Sequence, residues 1–261
     1  MNKGIYYIVT NRTKKRYQIE LITSILTLRK IDPDIDITII TDLHYLTKLI
    51  DYLDIQQVKI VKTYRDDPFK GSRYLKTTMN KHTTHDLCMF VDTDITFVRD
   101  FSAIWDYVTN YNIAFRIDRY PNIVKLMNGP KNDWGSNKEW LYMHRKKYIN
   151  ESTITHNSGV CVWKKSKETD QFFKDWHEEW RRFENVDQLA LARIVKDKYN
   201  NFINPFPKEY NALIFLMYWF KRSPPSNPCN PRLIHIHGCQ NELCIYNEKK
   251  EAKRILKEIW E

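Results

Sequence analysis

The chain has 261 residues, of which 42% are hydrophobic and 14% aromatic, a composition that excludes a disordered polymer and suits one large domain or two small ones. Its formal charge of +10 favours polyanionic partners: nucleotide phosphates, acidic glycans, nucleic acid or an anionic membrane surface. Only 6 glycines are present, and none falls in a Gly-x-Gly-x-x-Gly or Gly-x-x-x-x-Gly-Lys array, which removes the usual dinucleotide and P-loop readings.

From residue 1 to 100 the chain alternates strand and helix. Residues 5–10 predict a strand ending at Thr10 and Asn11. No charged start, long apolar core or small-residue cleavage site precedes it, so we expect no secretion signal and a cytoplasmic location. Tyr17, Leu21, Ile25 and Leu28 recur at helical spacing, and Asp32-Pro33-Asp34 stops that helix. Residues 35–41 predict a second strand, closed by Asp42. Residues 43–53 read as a helix, 58–61 as a short strand and 73–81 as a helix. Such alternation specifies right-handed crossovers and a mainly parallel sheet.

Residues 87–91 are all apolar, too few for an ordinary helix and suited to a strand buried on both faces. Asp92 and Asp94 follow directly. In open α/β sheets the carboxyl edge of the strands is where ligands bind, and two carboxylates there suit a hard divalent cation, Mn2+ or Mg2+, carrying a diphosphate. Thr10, Asn11 and Asp42, at the first two strand ends, are the candidates for the base and ribose of a nucleotide.

The second half is less regular. Residues 118–150, with Trp134, Trp140, Tyr142 and a turn at Asn128-Gly129-Pro130, are expected to form an insertion over the site. Exposed aromatics there would stack on sugar rings; buried ones would serve only the core. Residues 155–163 predict a turn and an alternating strand. Phe172, Trp176, Trp180 and Phe183 mark a core-facing helical stripe. Asn185-Val-Asp187-Gln188 opens a helix over 189–195, where Asp187 is also a fitting N-cap. Residues 232–238 read as a strand of period two, so His235 and His237 share a face, and either is a candidate metal ligand. The 5 cysteines form no Cys-x-x-Cys pair, and a zinc site of Cys229, Cys239, Cys244 and His237 matches no common spacing; a reduced compartment fits best. The longest apolar run, 212–220, is far short of the roughly 20 residues of a spanning helix. Aromatics and cations over 215–222 also suit peripheral membrane contact, although a buried helix accounts for them better.

Taken in order, these residues resemble the GT-A fold glycosyltransferases, in particular the glycogenin-like and lipopolysaccharide-galactosyltransferase-like retaining family. Asp92-Thr93-Asp94 is similar to that family's Asp-x-Asp, which binds Mn2+ and the donor diphosphate. Arg73 is similar in placement to its donor-binding arginine, Asn157-Ser-Gly159 to the Asn-x-Gly turn at the donor sugar, and Asp187-Gln188 to the pair beside the reacting carbon. Residues 206–211 resemble a loop ending in tryptophan and asparagine, with Tyr210 in place of the tryptophan before Asn211. His235-Ile-His-Gly238 resembles the His-x-x-Gly whose histidine is the third metal ligand. The family's lysine three residues beyond that glycine is absent; Asn241 stands there.

The resemblance implies a single GT-A domain over 1–261, with a nucleotide-binding half at 1–100 and a sugar and acceptor half at 101–261. It implies a Rossmann-like, mainly parallel sheet flanked by helices, and a nucleotide-sugar donor, mostly UDP-linked, with a glycan, glycolipid or protein acceptor. Asp92, Asp94 and His235 or His237 would hold the metal. Arg73, Lys76, Thr93 and Gly159 would serve donor binding, and Asn157, Asp187 and Gln188 catalysis with retention of configuration. An inverting mechanism would instead need Asp187 or Asp118 as base. Residues 89–96 also match the Asp-x-Asp-x-Thr of haloacid-dehalogenase-like phosphatases, with Asp92 as nucleophile, but that motif usually follows the first strand and needs a later acid pair. A non-catalytic nucleic-acid-binding domain would account for the charge, yet the basic residues are spread out and form no such motif.

Overall fold

The computed structural model describes residues 1–10, 15–63, 67–110, 112–128, 136–213, 230–235 and 246–260. In chain order it runs β1 (Lys3–Val9), α1 (Lys15–Arg29), β2 (Asp36–Thr41), a 3-10 turn into α2 (Leu49–Leu53), β3 (Gln57–Ile60), α3 (Pro68–Thr77), β4 (Leu87–Val91) and β5 (Ile95–Phe97). It continues with β6 (Ile113–Asn122), α4 (Ile123–Met127), α5 (Asn137–Arg145), β7 (Ile154–Lys164), α6 (Lys167–Arg181), α7 (Asp187–Ile194), β8 (Ile203–Pro205), β9 (Ala212–Leu213), β10 (Leu233–His235) and α8 (Tyr246–Trp260).

Among the described residues the central sheet has seven strands in the order β3-β2-β1-β4-β7-β6-β8. The β1, β2, β3 and β4 strands pair in parallel, as expected of strand–helix alternation, whereas β7 is antiparallel to both β4 and β6. Its strands are apolar on both faces because each face is covered. Ile5, Tyr7 and Val9 of β1, with Met89 and Val91 of β4, pack under α1 and α8; Tyr6, Ile8, Cys88 and Phe90 pack on the other side with residues of α3, α6 and α7. The stripe Phe172, Trp176, Trp180 is fully in that second core, and Cys88 and Cys161 are buried free thiols.

Several local expectations are corrected. The α3 helix begins at Pro68, not near 73, because the Asp67 carboxylate caps it through the Lys70 amide at 3.1 Å and Pro68 suits the first helical position. Residues 118–122 belong to β6 and hence to the sheet, so the insertion begins only at Ile123; Ile123, Leu126, Met143 and Tyr148 pack as a third small core against Leu189 and Ala192 of α7. Trp140 and Tyr142 pack against this cluster and serve the core. The β7 strand is buried along nearly its whole length and does not alternate. Asn11, the turn at Gly129-Pro130, Trp134, the run 215–222, His237, Gly238, Asn241 and the cysteines 229, 239 and 244 lie outside the described residues.

A second, three-stranded sheet, β5-β10-β9, stands beside the carboxyl end of β4. Its register decides the site. His235 pairs with Ile95, the neighbour of Asp94, on one side and with Leu213 on the other, which brings three distant stretches of sequence to one corner.

Candidate active site

Parallel pairing of β1 with β2 and β4 delivers Thr10, Asp42 and Asp92 to the same carboxyl edge of the sheet. Asp42 there accepts a hydrogen bond from Thr63 Oγ1 at 2.6 Å. Beyond β4 the chain turns at once: the Asp92 amide donates to Gly159 O at 2.8 Å and Ile95 N to Asp92 O at 3.1 Å, which buries Thr93 and turns Asp92 and Asp94 toward one another. His235 then closes the group. Its Nε2 lies 3.1 Å from Asp94 Oδ1 and 3.9 Å from Asp92 Oδ2, and one ligand atom from each of the three residues falls within 4.8 Å of the others.

This donor set fits a divalent cation of the Mn2+ or Mg2+ class, because two hard carboxylates and one imidazole converge. Burial works against an imidazolium at His235, but the Asp94 and Asp92 carboxylates outweigh it and raise its pKa. Gly159 belongs to the same construction. A Cβ there would stand 2.4 Å from His235 Cε1 and 2.8 Å from Nδ1, so only glycine lets the imidazole approach the strand.

A second centre lies at the start of α7. Asp187 occupies the first helical position, not the N-cap, which is Val186 and makes no side-chain cap. Its carboxylate is instead spent on long-range partners: Ser158 Oγ donates to Oδ2 at 2.7 Å, Lys76 Nζ stands 3.6 Å from Oδ2 and Arg73 Nε 3.3 Å from Oδ1. Burial alone would raise its pKa, yet Lys76, Arg73 and the Ser158 bond hold it below the ordinary carboxylate value. The Trp176 indole fixes the Asp187 backbone by donating to its carbonyl at 2.9 Å. Beside it, Gln188 is buried and its Nε2 makes no hydrogen bond among the described residues.

Lys76 connects the two centres. Its Nζ donates to Asp92 Oδ1 at 3.1 Å while facing Asp187, and it rests 4.9 Å from the centroid of the Phe90 ring. One turn earlier on α3, the Arg73 guanidinium lies 4.0 Å over the ring of Phe69. Of the residues singled out in the sequence, Asp92, Asp94, His235, Lys76, Arg73, Asp187 and Ser158 with its neighbours Asn157 and Gly159 are thus drawn together. Asn157 is turned inward: its Oδ1 accepts from Gly159 N at 2.9 Å and Asn211 Nδ2 at 2.8 Å, and its Nδ2 donates to Asp118 Oδ2 at 3.2 Å. Asn211 and Asp118 carry no sequence signal for that contact, which spans 54 and 39 residues.

Comparison with known proteins bears on family and fold. The sequence model of the nucleotide-diphospho-sugar transferase family matches residues 52–243. No curated protein matches the chain in sequence. Among solved structures, the bifunctional glycosyltransferase WbbM is similar at a TM-score of 0.63 and 15% identity, covering 99% of this chain and 51% of that one. The galactosyltransferase LgtC, complexed with donor and acceptor sugar analogues, gives 0.62 and 12%, covering 98% and 95%. Mouse xyloside xylosyltransferase 1 gives 0.59 and 8%, covering 91% and 98%. The chain spans about half the length of WbbM. At such identities these neighbours show a shared GT-A fold, and the phosphatase and nucleic-acid readings find no support.

Proposed function

The chain belongs to the nucleotide-diphospho-sugar transferase family, and from that premise we propose that it moves a sugar from a UDP-sugar to a hydroxyl of a glycan, glycolipid or protein, with retention of anomeric configuration and with Mn2+ or Mg2+ held by Asp92, Asp94 and His235. The observation that carries this reading is the convergence of those three side chains beside a second, separately neutralised carboxylate, Asp187, with Lys76 facing both.

A cation bound there would supply charge neutralisation to the departing diphosphate. The chain's own residues do the rest. Lys76 and Arg73 place two further cations along the path between the centres, where negative charge develops on the leaving group. Asp187, held ionised by them, keeps both side chains oriented. The Gln188 amide offers a hydrogen bond without basicity, which suits bracing a sugar that gains positive character at its anomeric carbon. The low pKa of Asp187 weakens it as a general base, and this favours retention, in which the diphosphate itself receives the acceptor proton. Among the described residues no helix is long and apolar enough to cross a membrane.

The test is a panel of nucleotide sugars with Mn2+. Release of nucleoside diphosphate in the presence of an acceptor is expected, strongest with a UDP-sugar. The product from an α-linked donor should show the small anomeric coupling of an α-linkage by NMR. A large coupling would overturn retention and leave the family and the cation site standing; release from no donor would overturn the activity.

A further inference from the structure

A chain of buried hydrogen bonds runs away from the cation site: Asp118, Asn157, Asn211 and His235 are each at most 5% exposed. Its ends have fixed polarity. The Asp118 carboxylate takes the Tyr120 amide at 2.9 Å on one oxygen and the Asn157 side-chain amide at 3.2 Å on the other. An ionised carboxylate only accepts, and the Gly159 N–H, 2.9 Å from Asn157 Oδ1, only donates. Rotating the Asn157 amide by half a turn would set donor against donor at Gly159 and oxygen against oxygen at Asp118. Its orientation is therefore decided without reference to the histidine.

The remaining orientations are forced link by link. With Asn157 Oδ1 fixed, Asn211 must present its Nδ2 to it, at 2.8 Å, and so turns its own Oδ1 to His235 Nδ1, at 3.0 Å. An acceptor at that position requires a proton on Nδ1. The lone pair of the neutral ring is then on Nε2, the nitrogen that faces Asp92 and Asp94. Arg116 donates to the Asn211 backbone carbonyl and holds the relay from the β6 side.

We infer that Asp118, Asn157 and Asn211 are positioning residues that set the tautomer and the aim of His235 for the cation. This rests on the reading of Asp92, Asp94 and His235 as a cation site. It also gives Asn157 a role separate from sugar contact, since one of its donors and both acceptor positions are used inside the protein.

Isothermal titration of Mn2+ into the wild type and variants tests it. Asn211→Leu should weaken Mn2+ about 10- to 100-fold, the range for removing a hydrogen-bond partner of a metal-bound histidine. Asn211→Asp keeps an acceptor for Nδ1 but sets an oxygen against Asn157 Oδ1, so it should recover only part of the loss. Asp118→Asn should cost less than Asn211→Leu, because it only loosens the polarity of the first link. The second readout is long-range 1H–15N NMR of histidine-labelled wild type with Mg2+, in which the His235 ring, assigned by its loss in His235→Gln, should carry its proton on Nδ1. That measurement decides the matter even if Asn211→Leu fails to fold. A ring protonated on Nε2, or wild-type Mn2+ affinity in Asn211→Leu while His235→Gln loses it, overturns the relay and spares the site. Wild-type affinity in both His235→Gln and Asp92→Asn would overturn the site and the relay with it.

Discussion

The two centres treat their carboxylates in opposite ways. At the start of α7 a single buried carboxylate, Asp187, is surrounded by Lys76, Arg73 and Ser158, so its charge is balanced within the protein. At the end of β4 two partly exposed carboxylates face a histidine whose Nδ1 is hydrogen-bonded to the Asn211 side chain, and Asp92 also accepts from Lys76. The first centre is complete as built. The second brings two carboxylates and an imidazole together, a ligand set that suits a divalent cation, and a bound metal ion would add positive charge there. Lys76 faces both centres.

The largest expected effect is at the centre formed by Asp92, Asp94 and His235. Asp92→Ala or Asp94→Ala should lower kcat/KM by at least about three orders of magnitude, because a charge-stabilising group is worth several kcal/mol in the transition state. Circular dichroism and thermal unfolding should stay close to wild type, since both side chains are only partly buried. Equal loss of stability and activity would mean that the pair is structural.

Asp187→Asn should instead damage both properties. It strips two cations, one of them buried, of their shared counter-charge, and we expect kcat to fall on the order of 100-fold from misplaced groups together with a lower unfolding midpoint. Kinetics and denaturant melts on the same preparation would check this. Loss of activity with unchanged stability would show Asp187 to be a reacting group and erase the contrast. Gln188→Ala should be milder, about tenfold in kcat, the worth of one neutral hydrogen bond, without loss of stability.

The smallest effect at neutral pH concerns His156, on the strand that joins the centres. Burial pushes its pKa down from 6.5 to about 4, with Asp118 opposing only in part. The unfolded chain therefore binds the proton first as pH falls, and stability is fully present above about 6.5 and lost progressively toward pH 4, by up to roughly 3 kcal/mol. Urea unfolding at pH 7 and pH 4.5 should show that drop in the wild type and a smaller one in His156→Gln. An identical drop in both would assign the acid sensitivity to other groups.

What could be read from the sequence divides along the same line. Leu87–Val91 followed by Asp92 and Asp94 is local: five apolar residues dictate a doubly buried strand, and its end dictates where the acids emerge. Parallel alternation likewise places Thr10 and Asp42 beside them. The α7 centre was half visible, because Asp187 at a helix start satisfies the rules of a cap, and only the packing of α3 against α6 and α7 reveals that its partners are Lys76 and Arg73. Neither the approach of His235 to Gly159 nor the relay through Asn211 leaves any periodicity, since each depends on strands of two or three residues, β9 and β10, whose pairing is set by tertiary structure.

The contrast between a self-neutralised centre at Asp187 and the proposed cation site at Asp92, Asp94 and His235 is tested most directly by titrating UDP into the protein with Mn2+ and again in excess chelator. UDP should bind with Mn2+ and lose at least about tenfold in affinity without it, a loss that Asp92→Asn should reproduce in the presence of the ion. Equal affinity for UDP with Mn2+ and with chelator would contradict the contrast at its root.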